Sequence, residues 1–282
     1  MFNVAILLVI GSGFLHSVWN LYTKRSINKN VFLWFCQLVA VFVFLPWTIV
    51  QWEGVHILST GGWIIVASML LHGLYVILLA KTYSIGDLSQ VYPIMRGTSP
   101  LLVPLLGVTL LNEKLSVLGW IGVLFIVIGI VLISNITFNR TESSTLRVPL
   151  LALAVGVCIA SYIVVDKVAL SYYPAVVINE ATNIGNLFVL SWATFNSKAI
   201  RTELRVNWRI ILLGGIIAPA SYLLFLYAAS LAPLAQLAPM REIGTVFGTI
   251  MGIFILREKQ GRRRLITSIL ITTGVILLGI WG

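Results

Sequence analysis

The chain has 282 residues, 59% of them hydrophobic and only 10% charged, with a mean hydropathy of +1.00. That excludes a soluble domain, which would interrupt its apolar runs with charge every few positions, and predicts an all-α integral membrane protein. The formal net charge of +10, from 19 Lys+Arg against 9 Asp+Glu, therefore does not indicate nucleic acid; in a bilayer it is an orientation signal and a contact with anionic lipid headgroups.

A helix needs about 20 mostly apolar residues to cross a hydrocarbon core of about 30 Å. On that length the chain divides into ten transmembrane helices. The first, 3 to 22, follows an N-terminus without a basic segment or a small-residue cleavage site, so it is expected to stay as a helix. It carries His16, Asn20 and Thr23 at i, i+4 and i+7. The second, 31 to 50, holds Cys36, and the third, 62 to 81, repeats the polar spacing with Ser68, His72 and Tyr75. The fourth, 88 to 111, contains Pro93 and Arg96, and the fifth spans 115 to 135. The sixth, 148 to 166, holds Cys158 and closes on Asp166-Lys167; the seventh, 174 to 195, carries Glu180 beside a stripe of Asn179, Asn183 and Asn186. The eighth spans 208 to 230, the ninth, 233 to 256, contains Pro239, Arg241 and Glu242, and the tenth spans 265 to 281. The two cysteines lie inside apolar blocks and read as buried free thiols.

Charge sorts by loop parity. The loops after helices 1, 5, 7 and 9 sum to +3, +1, +3 and +4, through Lys24, Arg25 and Lys29, then Arg140, Glu142 and Arg147, then Lys198 to Arg209, then Arg257 to Arg264. The other loops hold little: Glu53, Glu113-Lys114 and Asp166-Lys167. The positive-inside rule places the odd-numbered loops in the cytoplasm and both termini outside.

The chain also repeats itself at an offset of about 145. Gln90 lies against Gln236, Pro93 against Pro239, Arg96 against Arg241 after a one-residue gap, Gly107 against Gly252, Glu113-Lys114 against Glu258-Lys259, and Gly129 against Gly274. Upstream, at 143, Trp19 meets Tyr162 and Lys24 meets Lys167. Two halves of five helices each, residues 1–138 and 147–282, follow; an odd helix number per half inverts the second half. Inverted repeats are an architecture of secondary transporters, with substrate near the midplane between halves.

The Gly/Pro-bearing helices 4 and 9, followed by LNEKL and LREKQ and a Gly-containing last helix, resemble the EamA type of the drug/metabolite transporter superfamily. The resemblance implies ten helices, pseudo-twofold symmetry, cytoplasmic termini and movement of a small metabolite, often outward. The opening HSVWNLYTKRS also resembles EamA-type membrane proteins associated with phosphonate utilisation. A multi-pass protein of the cytoplasmic (inner) membrane, monomer or homodimer, is expected.

Ionisable groups at bilayer depth cost roughly 2.5 to 3.5 kcal/mol each on insertion scales, so each calls for a partner or a wet cavity. Arg96 and Arg241 each lie about 12 to 14 Å into a helix, after a proline that removes a backbone donor. Arginine forks suit carboxylate, phosphate or phosphonate, so the two are candidate contacts for an anionic or zwitterionic substrate. The alternative is an internal ion pair with Glu242 or Glu180. Either glutamate could equally bind a substrate amine or carry a coupling proton. The three polar stripes are read as a cavity lining, with His16, Asn20, His72, Tyr75 and Asn183 as substrate-binding candidates and interhelical glue as the rival role. Trp19, Tyr92, Tyr162 and Tyr222 could shape the pocket. No His/Asp constellation, metal spacing or phosphate loop is present, so no catalytic, metal or cofactor site is expected. The rival functions are a flippase for a lipid-linked or hydrophobic substrate, which would need a lateral opening, and, remotely, a membrane-embedded transferase.

Overall fold

The computed structural model describes residues 1–23, 26–52, 59–85, 88–133, 147–254 and 262–282; Lys24, Arg25, Glu53, Arg140, Glu142 and Arg257 to Lys259 lie outside the described residues, as do the side chains of Gln90, Tyr92, Pro93 and Arg262 to Arg264. All regular structure among the described residues is helical: α1 Phe2–Thr23, α2 Lys29–Val50, α3 Thr60–Ile85, α4 Leu88–Leu110, α5 Val117–Ile133, α6 Arg147–Ala169, α7 Ala175–Phe195, α8 Ile200–Leu231, α9 Leu234–Met240, α10 Ile243–Phe254 and α11 Arg262–Trp281. Five of these, α1, α2, α3, α6 and α8, are long and apolar enough to cross a membrane, and the apolar runs of α4, α5 and α11 are shorter. Leu7 of α1, Leu70 of α3, and Phe188 and Trp192 of α7 are exposed, an apolar coat suited to lipid.

Two expected boundaries move. The eighth helix starts at Ile200 rather than 208, and at 1.5 Å per residue its 32 residues reach about 48 Å, well beyond the hydrocarbon core. The segment expected as a charged loop is helical because Glu203 is fully buried and has work there: Oε2 accepts from the backbone N–H of Ile27 and Asn28 at 3.0 and 2.7 Å, and Oε1 accepts from Asn207 Nδ2 at 2.6 Å. A carboxylate at the entry to α2 also opposes that helix's positive end. The ninth span is interrupted at Arg241–Glu242 into α9 and α10. Pro239 cannot donate to a carbonyl one turn back, and the backbone tightens: Glu242 N donates to Pro239 O, Gly244 N to Arg241 O and Thr245 N to Glu242 O, all three residues apart. The fourth helix runs unbroken past Pro93 and Arg96.

Helix packing follows the sequence repeat. Helix α1 packs on α8 as α3 packs on α6, α4 on α6 as α1 on α10, and α2 on α8 as α3 on α7, while α2–α7, α4–α9 and α5–α11 pair across the centre. The symmetry reaches single residues. A Cβ on Gly122 would lie 2.8 Å from Gly274 O, and one on Gly129 would lie 3.2 Å from Thr267 O; these contacts exchange under the repeat offset. The same holds for Gly13 against Ile243 and Gly156 against Thr98. Glycine at these crossings lets backbones touch, which is how helices associate where lipid removes the hydrophobic drive.

Candidate functional site

Beside the interrupted helix, α1 approaches so closely that a Cβ on Gly244 would stand 2.7 Å from Gly13 O. This brings three candidates together. Arg96 of α4 donates through Nη2 to His16 Nε2 at 2.8 Å and through Nη1 to Glu242 Oε1 at 3.5 Å. A guanidinium offers no acceptor, so His16 Nε2 receives the bond and the ring proton lies on Nδ1. The Arg96–Glu242 pair ties α4 to the break between α9 and α10.

Arg241 points elsewhere. Its Nε donates to Ser12 Oγ at 3.0 Å and its Nη2 to Ser221 Oγ at 3.4 Å, while each serine hydroxyl donates to the other's carbonyl at 2.7 and 2.9 Å. Its Cζ sits 4.9 Å from the Phe225 ring centre and 5.5 Å from that of Tyr222, within cation–π range. Among the described residues no carboxylate lies within ion-pair distance of it. The internal ion pair therefore forms for Arg96 and not for Arg241, and neither arginine takes Glu180.

Tyr222 leads to a group that the sequence reading placed at a helix end. Asp166 is 1% exposed, inside α6, and accepts from Ser68 Oγ, from the Tyr222 hydroxyl and from His72 Nε2 at 3.0 Å. His72 packs on Tyr162 with ring centres 4.0 Å apart, and Tyr75 meets Tyr162 edge-on at 5.7 Å. Asp166 thus corrects the expectation that the sixth helix closes there on a loop charge. The signal was present: VALSYY continues the apolar run beyond it, and α6 does run on to Ala169. The structure joins Arg241, Tyr222, Asp166, His72 and Ser68 into one polar chain between α1, α3, α6 and α8.

The remaining candidates separate. Glu180 and Asn183 are 2% and 4% exposed on α7, paired with each other at 3.4 Å between Asn183 Nδ2 and Glu180 Oε2, and they lie outside the arginine cluster's contacts. Asn20 is exposed near the end of α1.

The LNEKL segment has a use beyond a solvated pair. Asn112 adopts φ 55, a left-handed turn that asparagine tolerates, and sends Glu113 across to α9, where its two oxygens accept from Leu234 N and Ala235 N, each at 2.7 Å. Gly107 leaves room, since a Cβ there would meet Glu113 Oε2 at 2.7 Å. Lys167 donates from α6 to Ala229 O and, at 3.1 Å, to Ala232 O. The α8–α9 turn is clamped by Glu113 on one side and Lys167 on the other. A groove of about 400 Å³ opens between α3 and α6, lined by Trp63, Ile64, Ala67, Val164 and Val168 among others, and none of the buried charges lines it.

Comparison with known proteins locates the chain. The model of the EamA-like transporter family matches residues 3–135 and again 146–280. The glucose uptake protein GlcU of Bacillus subtilis (strain 168) is 30% identical over 215 residues, which cover 71% of this chain and 72% of that protein. A crystal structure described only as that of a protein superposes with a TM-score of 0.80 at 16% identity, covering 98% of this chain and 96% of the other, and so shares its fold.

Proposed function

From its membership of the EamA-like transporter family, which makes this chain a multi-pass membrane transporter, we propose that it is a secondary transporter of the cytoplasmic membrane for a small polyhydroxylated, sugar-like metabolite. Its ten spans form two inverted halves, residues 1–138 and 147–282, that alternate access around the polar chain between them. The carrying observation is that the central charges are largely met internally: Arg96 by Glu242 and His16, and Asp166 by Ser68, His72 and Tyr222. A neutral solute rich in hydroxyls can exchange with such bonds without importing charge, and tyrosine and histidine rings offer faces for sugar C–H surfaces. The similarity to a glucose uptake protein supports uptake of such a solute.

One observation favours a second substrate class. Arg241 has hydroxyls and ring faces around it but no carboxylate in pairing range among the described residues, so an anionic or zwitterionic metabolite would find a fork there. A coupling proton has Asp166 and Glu242 as candidate carriers beside the same path.

The test is uptake of labelled D-glucose into proteoliposomes, with neutral hexoses, polyols, sugar acids, amino acids, phosphates and phosphonates as competitors. Competition confined to neutral sugars and polyols supports the first reading. Competition by anions, lost in Arg241→Met, replaces it with the second, and competition by none of them refutes both.

A further inference from the structure

Helix α7 carries a polar island that the arginine and aspartate network does not use. Asn179 is 1% exposed, and neither its Oδ1 nor its Nδ2 has a hydrogen-bond partner. Next to it, Glu180 is 2% exposed with Oε1 unpartnered, while Oε2 accepts from Asn183 Nδ2. The same helix contributes Val176, Val177 and Ile178 to a hydrophobic cluster with Phe44, Ile65, Leu223 and Leu226. Among the described residues no basic group lies within ion-pair distance of Glu180. Buried donors and acceptors are ordinarily satisfied, so a cluster of open ones on adjacent residues marks a place built to receive a partner.

Resting on the sugar-like reading above, we infer that Asn179, Glu180 and Asn183 form a subsite that recognises a pair of neighbouring hydroxyls on the substrate. The donor set selects the chemistry. The open atoms are one donor, Asn179 Nδ2, and two acceptors, Asn179 Oδ1 and Glu180 Oε1. A metal cation satisfies the oxygens and leaves the N–H₂ open; an anion satisfies the N–H₂ and meets a carboxylate. Hydroxyls both donate and accept, so a vicinal diol satisfies all three.

The subsite also lies at nearly the same level along the helices as the central network. Gly185 packs on Met69 and Gly73 on Val189, the same offset of 116 positions in both pairs, so α3 and α7 run parallel in fixed register. That register sets Glu180 level with Ile64 along the helix axis, one helical turn or about 6 Å from the level of Ser68, which holds Asp166. The stripe continues toward α2. Trp34 Nε1 donates to Ser191 Oγ at 2.9 Å and Asn28 Nδ2 to Ser197 Oγ at 3.3 Å, an antiparallel register that brings Gln37 within a turn of Asn186. Both of those side chains carry an unpartnered buried oxygen. A row of open polar atoms therefore leads along the α2–α7 seam from the subsite.

The experiment measures calorimetric binding of D-glucose and of each monodeoxyglucose to the full chain in lipid nanodiscs, for wild type, Glu180→Gln, Asn179→Leu and the isosteric Asn179→Asp. Removing one partner of a substrate hydroxyl is expected to weaken glucose binding about ten- to a hundredfold. One deoxyglucose should bind wild type as weakly as glucose binds Glu180→Gln, with no further loss when the two changes are combined. Wild-type glucose binding with all three variants within twofold of it overturns the subsite and leaves the transporter reading intact. Losses that are additive with every deoxyglucose overturn it too, since they mean the variants act through packing. A sodium requirement for glucose binding that disappears in Glu180→Gln while Asn179→Leu binds normally overturns it in favour of a cation site. Wild type that binds no neutral sugar overturns both readings together.

Discussion

Replacing Asp166 tests whether the buried carboxylate organises the centre. In Asp166→Leu, three donors, Ser68 Oγ, Tyr222 Oη and His72 Nε2, lose their common acceptor. A buried donor left open costs about 1–3 kcal/mol; allowing the serine hydroxyl and the histidine tautomer to find other bonds, the total is about 3–5 kcal/mol. In Asp166→Asn the side-chain shape survives. Its oxygen can still serve His72 and Tyr222, and its N–H₂ can donate to a rotated Ser68 hydroxyl. The three bonds then fall from charged to neutral strength, a loss of about 1 kcal/mol each, partly offset because no charge is buried. About 2 kcal/mol remains. At roughly 2–4 °C per kcal/mol for a chain of this order, thermal unfolding in detergent, followed by size-exclusion fluorescence, should fall about 5 °C for Asn and 10 °C or more for Leu. Adding Ser68→Ala to Asp166→Leu should cost less than Ser68→Ala alone, because the two changes share one bond. An Asp166→Leu protein melting within 2 °C of wild type would refute the assignment of Asp166 as the shared acceptor.

The clamp on the α8–α9 turn should respond to either of its ends. Glu113→Ala removes the acceptor for Leu234 N and Ala235 N and should speed labelling of an introduced Ala232→Cys by a water-soluble maleimide several-fold; unchanged labelling would mean the turn is held otherwise. Gly244→Ala places a methyl 2.7 Å from Gly13 O, an overpacking expected to cost about 1–3 kcal/mol and to lower the melting midpoint by several degrees, whereas Gly97→Ala, whose added Cβ has its nearest neighbour at 3.9 Å, should melt like wild type. Arg96→Met leaves Glu242 without its arginine partner at the break and should reduce transport far more than the double change Arg96→Met with Glu242→Gln; equal losses would show that the pair is not coupled. On the positive-inside rule, which expects the basic odd-numbered loops in the cytoplasm and the termini outside it, a C-terminal alkaline phosphatase fusion should be active, and a silent phosphatase with a fluorescent cytoplasmic reporter would reverse the orientation.

What the sequence determined by itself rests on local quantities. Hydropathy summed over about 20 residues marks a membrane helix wherever it later packs, so the all-helical class and the rough bounds of most helices were legible, as were the proline and arginine of the fourth and ninth. The internal repeat was legible because it compares the chain with itself. The tertiary structure decided which polar groups meet. Asp166 looked like a helix end until Ser68, His72 and Tyr222, from helices far away in the chain, were brought to it, and Glu203 looked like loop charge until the start of α2 arrived above it. Proline 93 and Pro239 read alike, yet only the second helix breaks. The physical reason is common to all of these: desolvation sets a cost on each polar group that depends on its own burial, but the bond that offsets it comes from another helix, and the local pattern carries no information about which one.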